Sequence, residues 1–136
     1  MNNLGRRPMA ILLGGLFLLG AMGTGAAQDV VKVSPETHRV LLENDRVRVL
    51  DVRIKPGERV AMHSHPPSVV HYLSDGSLRI TYLDGRTEVR EVKTGTAVWS
   101  EAATHAAENV GTREFHELQI ELKEEQRKNA ALKVTD

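Results

Sequence analysis

The chain has 136 residues, 40% hydrophobic but only 4% aromatic, which suits one small domain with a core of Val, Leu, Ile and Ala and leaves no room for a second. There is no cysteine, so disulfides, thiolate metal sites, haem attachment and thiol nucleophiles are excluded, and any chemistry falls to histidine, carboxylate, hydroxyl or a metal ion. Basic and acidic residues number 18 each, and two of the basic ones, Arg6 and Arg7, sit in the leading segment; the slightly acidic remainder argues against a nucleic-acid surface or a polybasic membrane patch.

Residues 1–27 read as an export signal: Arg6 and Arg7, an apolar run from Met9 to Met22, then small residues ending at Ala26-Ala27, with cleavage expected after Ala27. The run is broken by Gly14, Gly15 and Gly20 and falls short of the roughly 20 residues that span a bilayer, so no stable anchor is expected. The protein is therefore expected in the periplasm or outside the cell. Residues 28–123 form the expected domain, and residues 124–136 a polar tail, helical or loose.

Short apolar alternations run through the domain with no helical stripe. The predicted strands are Val30 to Val33, Arg39 to Leu42, Arg46 to Ile54, Arg59 to His63, Val69 to Leu73, Ser77 to Leu83, Thr87 to Val92, Ala97 to Ser100, His105 to Val110 and Arg113 to Lys123. Pro56-Gly57, Asp75-Gly76, Asp84-Gly85, Lys93-Thr94-Gly95 and Gly111-Thr112 supply the turns between them. The pattern is all-β, and a double-sheet jelly-roll barrel hides so many strand edges within about 100 residues. Periodicity alone does not separate it from an immunoglobulin-like sandwich. An edge left over favours a homodimer.

The histidines add the missing weight. His63 and His65 are one residue apart in a strand, so both imidazoles project from one face with Cα atoms roughly 7 Å apart. Such a pair can share an ion, since ring nitrogens bind first-row metals at about 2.0–2.1 Å. Pro66 and Pro67 stiffen the backbone that follows. Alone, a His-x-His pair is as readily two polar residues near a loop.

The stretch from Gly57 through His63-Ser64-His65 to Gly76 resembles the first motif of the cupin family, and Gly95 to Asn109, with Trp99 and His105, resembles the second. The resemblance covers Val47 to Lys123. It implies a double-stranded β-helix barrel with a divalent ion (Fe, Zn, Mn, Ni or Cu) held by His63, His65 and His105. Two departures stand out: the glutamate of the first motif falls on Val69, and the second motif is one residue short, with Glu101 where proline is usual.

His71 shares a strand face with Val69 and Leu73, which makes it a candidate fourth ligand or catalytic pocket base, against a plain wall histidine. Glu101 is a weaker candidate, expected to be solvated. His38 reads as a surface residue. His116 alternates with Leu118, Ile120 and Leu122 and is expected to face inward or be satisfied by backbone; Asn109 returns to the face of His105, and Trp99 and Tyr72 are core or pocket lining. The expected interior is apolar, from Val60, Met62, Val69, Leu73 and Val98. The implied function is a mononuclear three-histidine metal enzyme, dioxygenase-like, with isomerase or decarboxylase as lesser enzyme readings, on a small organic substrate. The alternative is an exported protein that binds a metal or small ligand without transforming it.

Overall fold

The computed structural model describes residues 28–123; the expected export signal and tail lie outside the described residues. Among the described residues the alternating segments fold as nine strands: β1 (His38–Glu43), β2 (Val47–Ile54), β3 (Arg59–His65), β4 (Ser68–Tyr72), β5 (Gly76–Tyr82), β6 (Thr87–Val92), β7 (Ala97–Ser100), β8 (Ala103–Asn109) and β9 (Phe115–Leu122). They make two antiparallel sheets, in the orders β1-β2-β9-β4-β7 and β3-β8-β5-β6. The tight turn at Gly57 has φ +76° and that at Gly85 φ +83°, a region glycine enters without a Cβ clash. The sheets enclose a core of Leu50, Val52, Ile54, Val70, Tyr72 and Phe115 from the first and Val60, Leu78, Ile80, Val92 and Ala107 from the second.

One predicted strand is a correction. Val30–Val33 forms a single helical turn, α1, because the Asp29 carboxylate accepts the Val31 N–H at 3.0 Å and caps it. Val30 is fully buried, and the Asp29 backbone makes one isolated parallel bridge to Ser64.

Two details set the direction of side chains. In β3 the register slips between Val60 and His63; this bulge lets both residues face inward although they differ in parity, leaving Ala61 and Met62 exposed. In β9 the odd residues Phe115, Glu117, Gln119 and Glu121 line or support the cavity. Leu118, Ile120 and Leu122 turn outward, where Leu42, Val49, Ile120, Val69 and Trp99 stand in register as one row across the five-stranded sheet.

The end of the barrel away from the histidines is closed by backbone hydrogen bonds and tight packing. Asn109 donates from Nδ2 to the Ile54 and Arg113 carbonyls at 2.7 and 2.8 Å, and its Oδ1 accepts from Gly111 N at 2.9 Å. Its amide is thus spent on backbone rather than on a ligand or a neighbouring histidine. Gly76 lies against the buried Phe115 ring, where an added Cβ would come within 2.8 Å of Cδ2. Gly76→Ala is expected to destabilise the fold by about 1–3 kcal/mol through overpacking, read as a lower denaturation midpoint at constant slope.

Candidate metal centre

The β3 bulge, the start of β1 and the middle of β8 bring four imidazoles to one end of the barrel. Ring centroids lie 4.6 Å apart for His63 and His65, 4.8 Å for His63 and His105, and 5.6 Å for His65 and His105. His63 and His105 face each other directly across the β3–β8 ladder. The fourth member is His38, read from the sequence as a surface residue and in fact buried, with its ring 5.7 Å from His63 and 6.0 Å from His65. It was hidden because the signal is tertiary: β1 pairs with β2 so that His38 lies opposite Val52, which lines the cavity. Ring nitrogens of His38, His63 and His65 all lie within 4.8 Å of one another, close enough to converge on one ion.

Each of these three rings has its proton placed by a neighbour. His63 Nδ1 lies 2.7 Å from the Ala61 carbonyl, which can only accept. His65 Nδ1 lies 2.7 Å from the Glu121 carboxylate, itself held by Arg48 Nε at 2.6 Å, with Arg48 Nη1 passing on to Asp29 at 2.8 Å. His38 Nδ1 lies 2.8 Å from Thr37 Oγ1, whose own proton goes to the Ser34 carbonyl at 3.2 Å. All three therefore carry hydrogen on Nδ1 and leave the Nε2 lone pair free, the arrangement by which metal-binding histidines are oriented. The donor set fits a divalent first-row ion, for which imidazole is a suitable ligand.

Burial keeps His38, His63 and His105 neutral. It pushes His38 and His105 down to about 3 and His63 down to about 4, with the neighbouring imidazoles adding to the shift at each. Glu121 is desolvated, which alone would raise it, but the hydrogen bonds from His65 and Arg48 hold it below the usual carboxylate range.

The cluster opens onto a cavity of about 470 Å³ lined in part by Val52, Val70, Tyr72, Leu78, Ile80, Tyr82, Arg90, Glu117 and Gln119. Its interior is more polar than expected, since Met62, Val69 and Leu73 are exposed while the polar face of β9 points in. His71 is not brought to the cluster. On β4 the inward positions are Ser68, Val70 and Tyr72, so His71 stands on the opposite face, level with Ala97 and Leu118. The same parity turns Val69 outward, and neither inward neighbour is a carboxylate. His116 also faces outward, its Nε2 2.7 Å from Asp51 Oδ1. Glu101 is exposed and accepts from Trp99 Nε1 at 2.7 Å, and both residues rim the cavity. Glu121, Arg48 and Asp29 carry no signal of their own in the sequence, because they sit in ordinary strand and turn positions and acquire a role only through the fold.

The sequence profile of the Cupin_2 family, described as "Cupin domain", matches residues 50–120. The chain belongs to the cupin family. Its structure is similar to a cupin domain from Bordetella pertussis Tohama I, at 27% identity and TM-score 0.59 over 63% of this chain and 91% of that one. It is also similar to a double-stranded β-helix protein from Klebsiella pneumoniae subsp. pneumoniae MGH 78578 (24%, 0.51, 63% and 75%). An RmlC-like cupin family protein from Methanocaldococcus jannaschii compares at 15% and 0.53, over 68% and 84%; these last two speak to the fold alone. No curated protein matches the chain in sequence. The architecture is the cupin double-stranded β-helix, as the two motifs implied.

The depressed histidines make the metal-free protein sensitive to acid. Their folded-state pKa values lie below that of free histidine, so between the two the unfolded chain binds protons that the folded cupin refuses, and stability is full above about pH 6.5 and falls as pH drops toward 3–4. Chemical denaturation of the metal-free protein is expected to show a loss on the order of 2 kcal/mol or more between pH 7 and pH 5.

Proposed function

We propose that this cupin holds one divalent first-row ion at the histidine cluster and acts on a small organic substrate bound in the adjoining cavity, with dioxygenase-type chemistry the favoured reaction. The observation that carries the reading is the set of three buried imidazoles with nitrogens within 4.8 Å and Nδ1 protons committed to fixed acceptors. An ion bound there supplies Lewis acidity, and iron would add redox chemistry with dioxygen. The chain's own residues do the rest. His63 and His65 supply the ring-nitrogen donors, the Ala61 carbonyl orients His63, Glu121 and Arg48 keep His65 in one tautomer, and Val52, Val70, Leu78 and Ile80 give the cavity an apolar wall. With residues 1–27 read as an export signal, this chemistry would take place outside the cytoplasm.

A second reading is favoured by His38. If His38, His63, His65 and His105 all bound together, a tetrahedral ion would have no open position, and the site would serve structure or capture rather than catalysis. Metal analysis of the purified protein and of single alanine variants separates the two. His63→Ala and His65→Ala are expected to lose about nine-tenths of the metal, and Glu121→Gln to weaken affinity about 10–100-fold by releasing His65. Retained metal in His38→Ala or in His105→Ala, with oxygen uptake on a panel of small organic acids by the parent, would support the open, catalytic site. A His63→Ala variant that binds as much metal as the parent would end the metal reading altogether.

A further inference from the structure

The cavity wall carries an acid that the histidine cluster does not use. Glu117 lies on the inner face of β9, in register with Val52 on β2 and Tyr72 on β4. Its neighbours on that face are engaged: Gln119 Nε2 donates to Ser68 Oγ at 3.3 Å, and Glu121 serves His65 and Arg48. Among the described residues no hydrogen bond or ion pair reaches the Glu117 carboxyl, which borders the cavity. Arg90 enters the same cavity from β6. Its Nη2 donates to Glu88 Oε1 at 2.5 Å and to the Tyr82 hydroxyl at 3.4 Å, and the half-exposed guanidinium also comes within hydrogen-bonding reach of the Tyr72 hydroxyl. Arg90 and Glu117 thus line one cavity with Tyr72 and His105, and Tyr72, the register partner of Glu117, lies within reach of the guanidinium.

We propose that Arg90 and Glu117 form a carboxylate-recognition subsite in this cavity, so that its ligand is a small organic monocarboxylate. The proposal deepens the metal reading by naming the substrate class, but the subsite itself requires no ion. A guanidinium presents paired donors that match the geometry of a carboxylate. Burial pushes Glu117 up to about 8, the Arg90 charge only partly opposing it. At neutral pH the acid therefore carries a proton and donates its O–H to an anionic oxygen. Above pH 8 it ionises and repels the same anion.

The groups around Glu117 do not supply a competing titration there. On β4, Tyr72 is raised above its ordinary value by burial; on β8, His105 is neutral down to about 3; on β2 the facing residue is Val52. Tyr82 on β5 is raised by burial, and Glu88 on β6 is lowered chiefly by its bond from Arg90. A cavity with a fixed cation and a protonated acid selects an anion over a neutral molecule of the same shape.

The test uses benzoate as the probe and benzamide as its neutral counterpart, followed by the fluorescence of Trp99, the only tryptophan in the chain and a cavity-rim residue. It is run on zinc-loaded and on chelator-treated protein. In both forms benzoate is expected to bind about tenfold or more tightly than benzamide, and Arg90→Gln to remove that preference, the equivalent of one charge-assisted hydrogen bond. In the chelator-treated form, where no metal-bound water titrates, benzoate affinity is expected to fall about fivefold to tenfold between pH 7 and pH 9, and Glu117→Gln to flatten that fall. Equal binding of the two probes, or a benzoate preference untouched by Arg90→Gln, would overturn the proposal. A preference that depends on Arg90 in protein unable to bind zinc would uphold the subsite while the metal reading failed, so the two failures are distinguishable.

Discussion

Three imidazoles pressed together in a water-poor end of a barrel form a stable arrangement only if each ring proton has somewhere to go. Here the acceptors are the Ala61 carbonyl, the Thr37 hydroxyl and the Glu121 carboxylate. With Nδ1 fixed, the Nε2 lone pairs are the remaining polar atoms of these rings, in a cluster where ring nitrogens of all three lie within 4.8 Å of one another. Much of the local structure serves that constraint. The β3 bulge turns Val60 and His63 to the same side and leaves Ala61 and Met62 outside the β8 register, so the Ala61 carbonyl is placed to accept from the ring two residues on. The helical turn α1 and the Ser34 carbonyl position Thr37 beside His38.

The most committed of these acceptors is Glu121. It is almost wholly buried, its charge balanced by Arg48, which in turn reaches Asp29 at the foot of α1. A buried pair of this kind adds little net stability, yet removing one partner strands the other and costs about 3–5 kcal/mol. The relay ties the N-terminal turn, β2, β9 and His65 into one electrostatic unit. The orientation of a candidate ligand thus depends on residues from parts of the chain far apart in sequence, which gives the buried pair a role in specificity rather than in stability alone.

The fold was legible in the sequence because turn residues and alternation mark each strand, and because two spaced motifs carry three of the four histidines. What was not legible follows from parity. In β9, Leu118, Ile120 and Leu122 suggest an apolar inner face, but they lie on the outer face, where Ile120 stands in a row with Val49, Val69 and Trp99, while Glu117, Gln119 and Glu121 point in. The polar face of β9 that lines the cavity inverts the usual pattern of hydrophobic residues inside, and alternation reports only that the two faces differ. His71 was misplaced for the same reason, since Val70 rather than Val69 faces the cavity on β4. His38 and the Arg48–Asp29 link depend on how the N-terminal segment returns to the barrel, which no local pattern records.

The protonation and metal-binding state of each ring nitrogen can be observed directly. In zinc-loaded protein uniformly labelled with nitrogen-15, two-bond proton–nitrogen correlation spectra of the histidine side chains report which nitrogen of each ring holds the proton and which holds the metal. The predicted result is zinc on Nε2 of His63 and His65, with hydrogen retained on Nδ1 of both and His38 in the same tautomer. Zinc on Nδ1 of either His63 or His65, or spectra of the cluster that do not change when zinc is added, would contradict it.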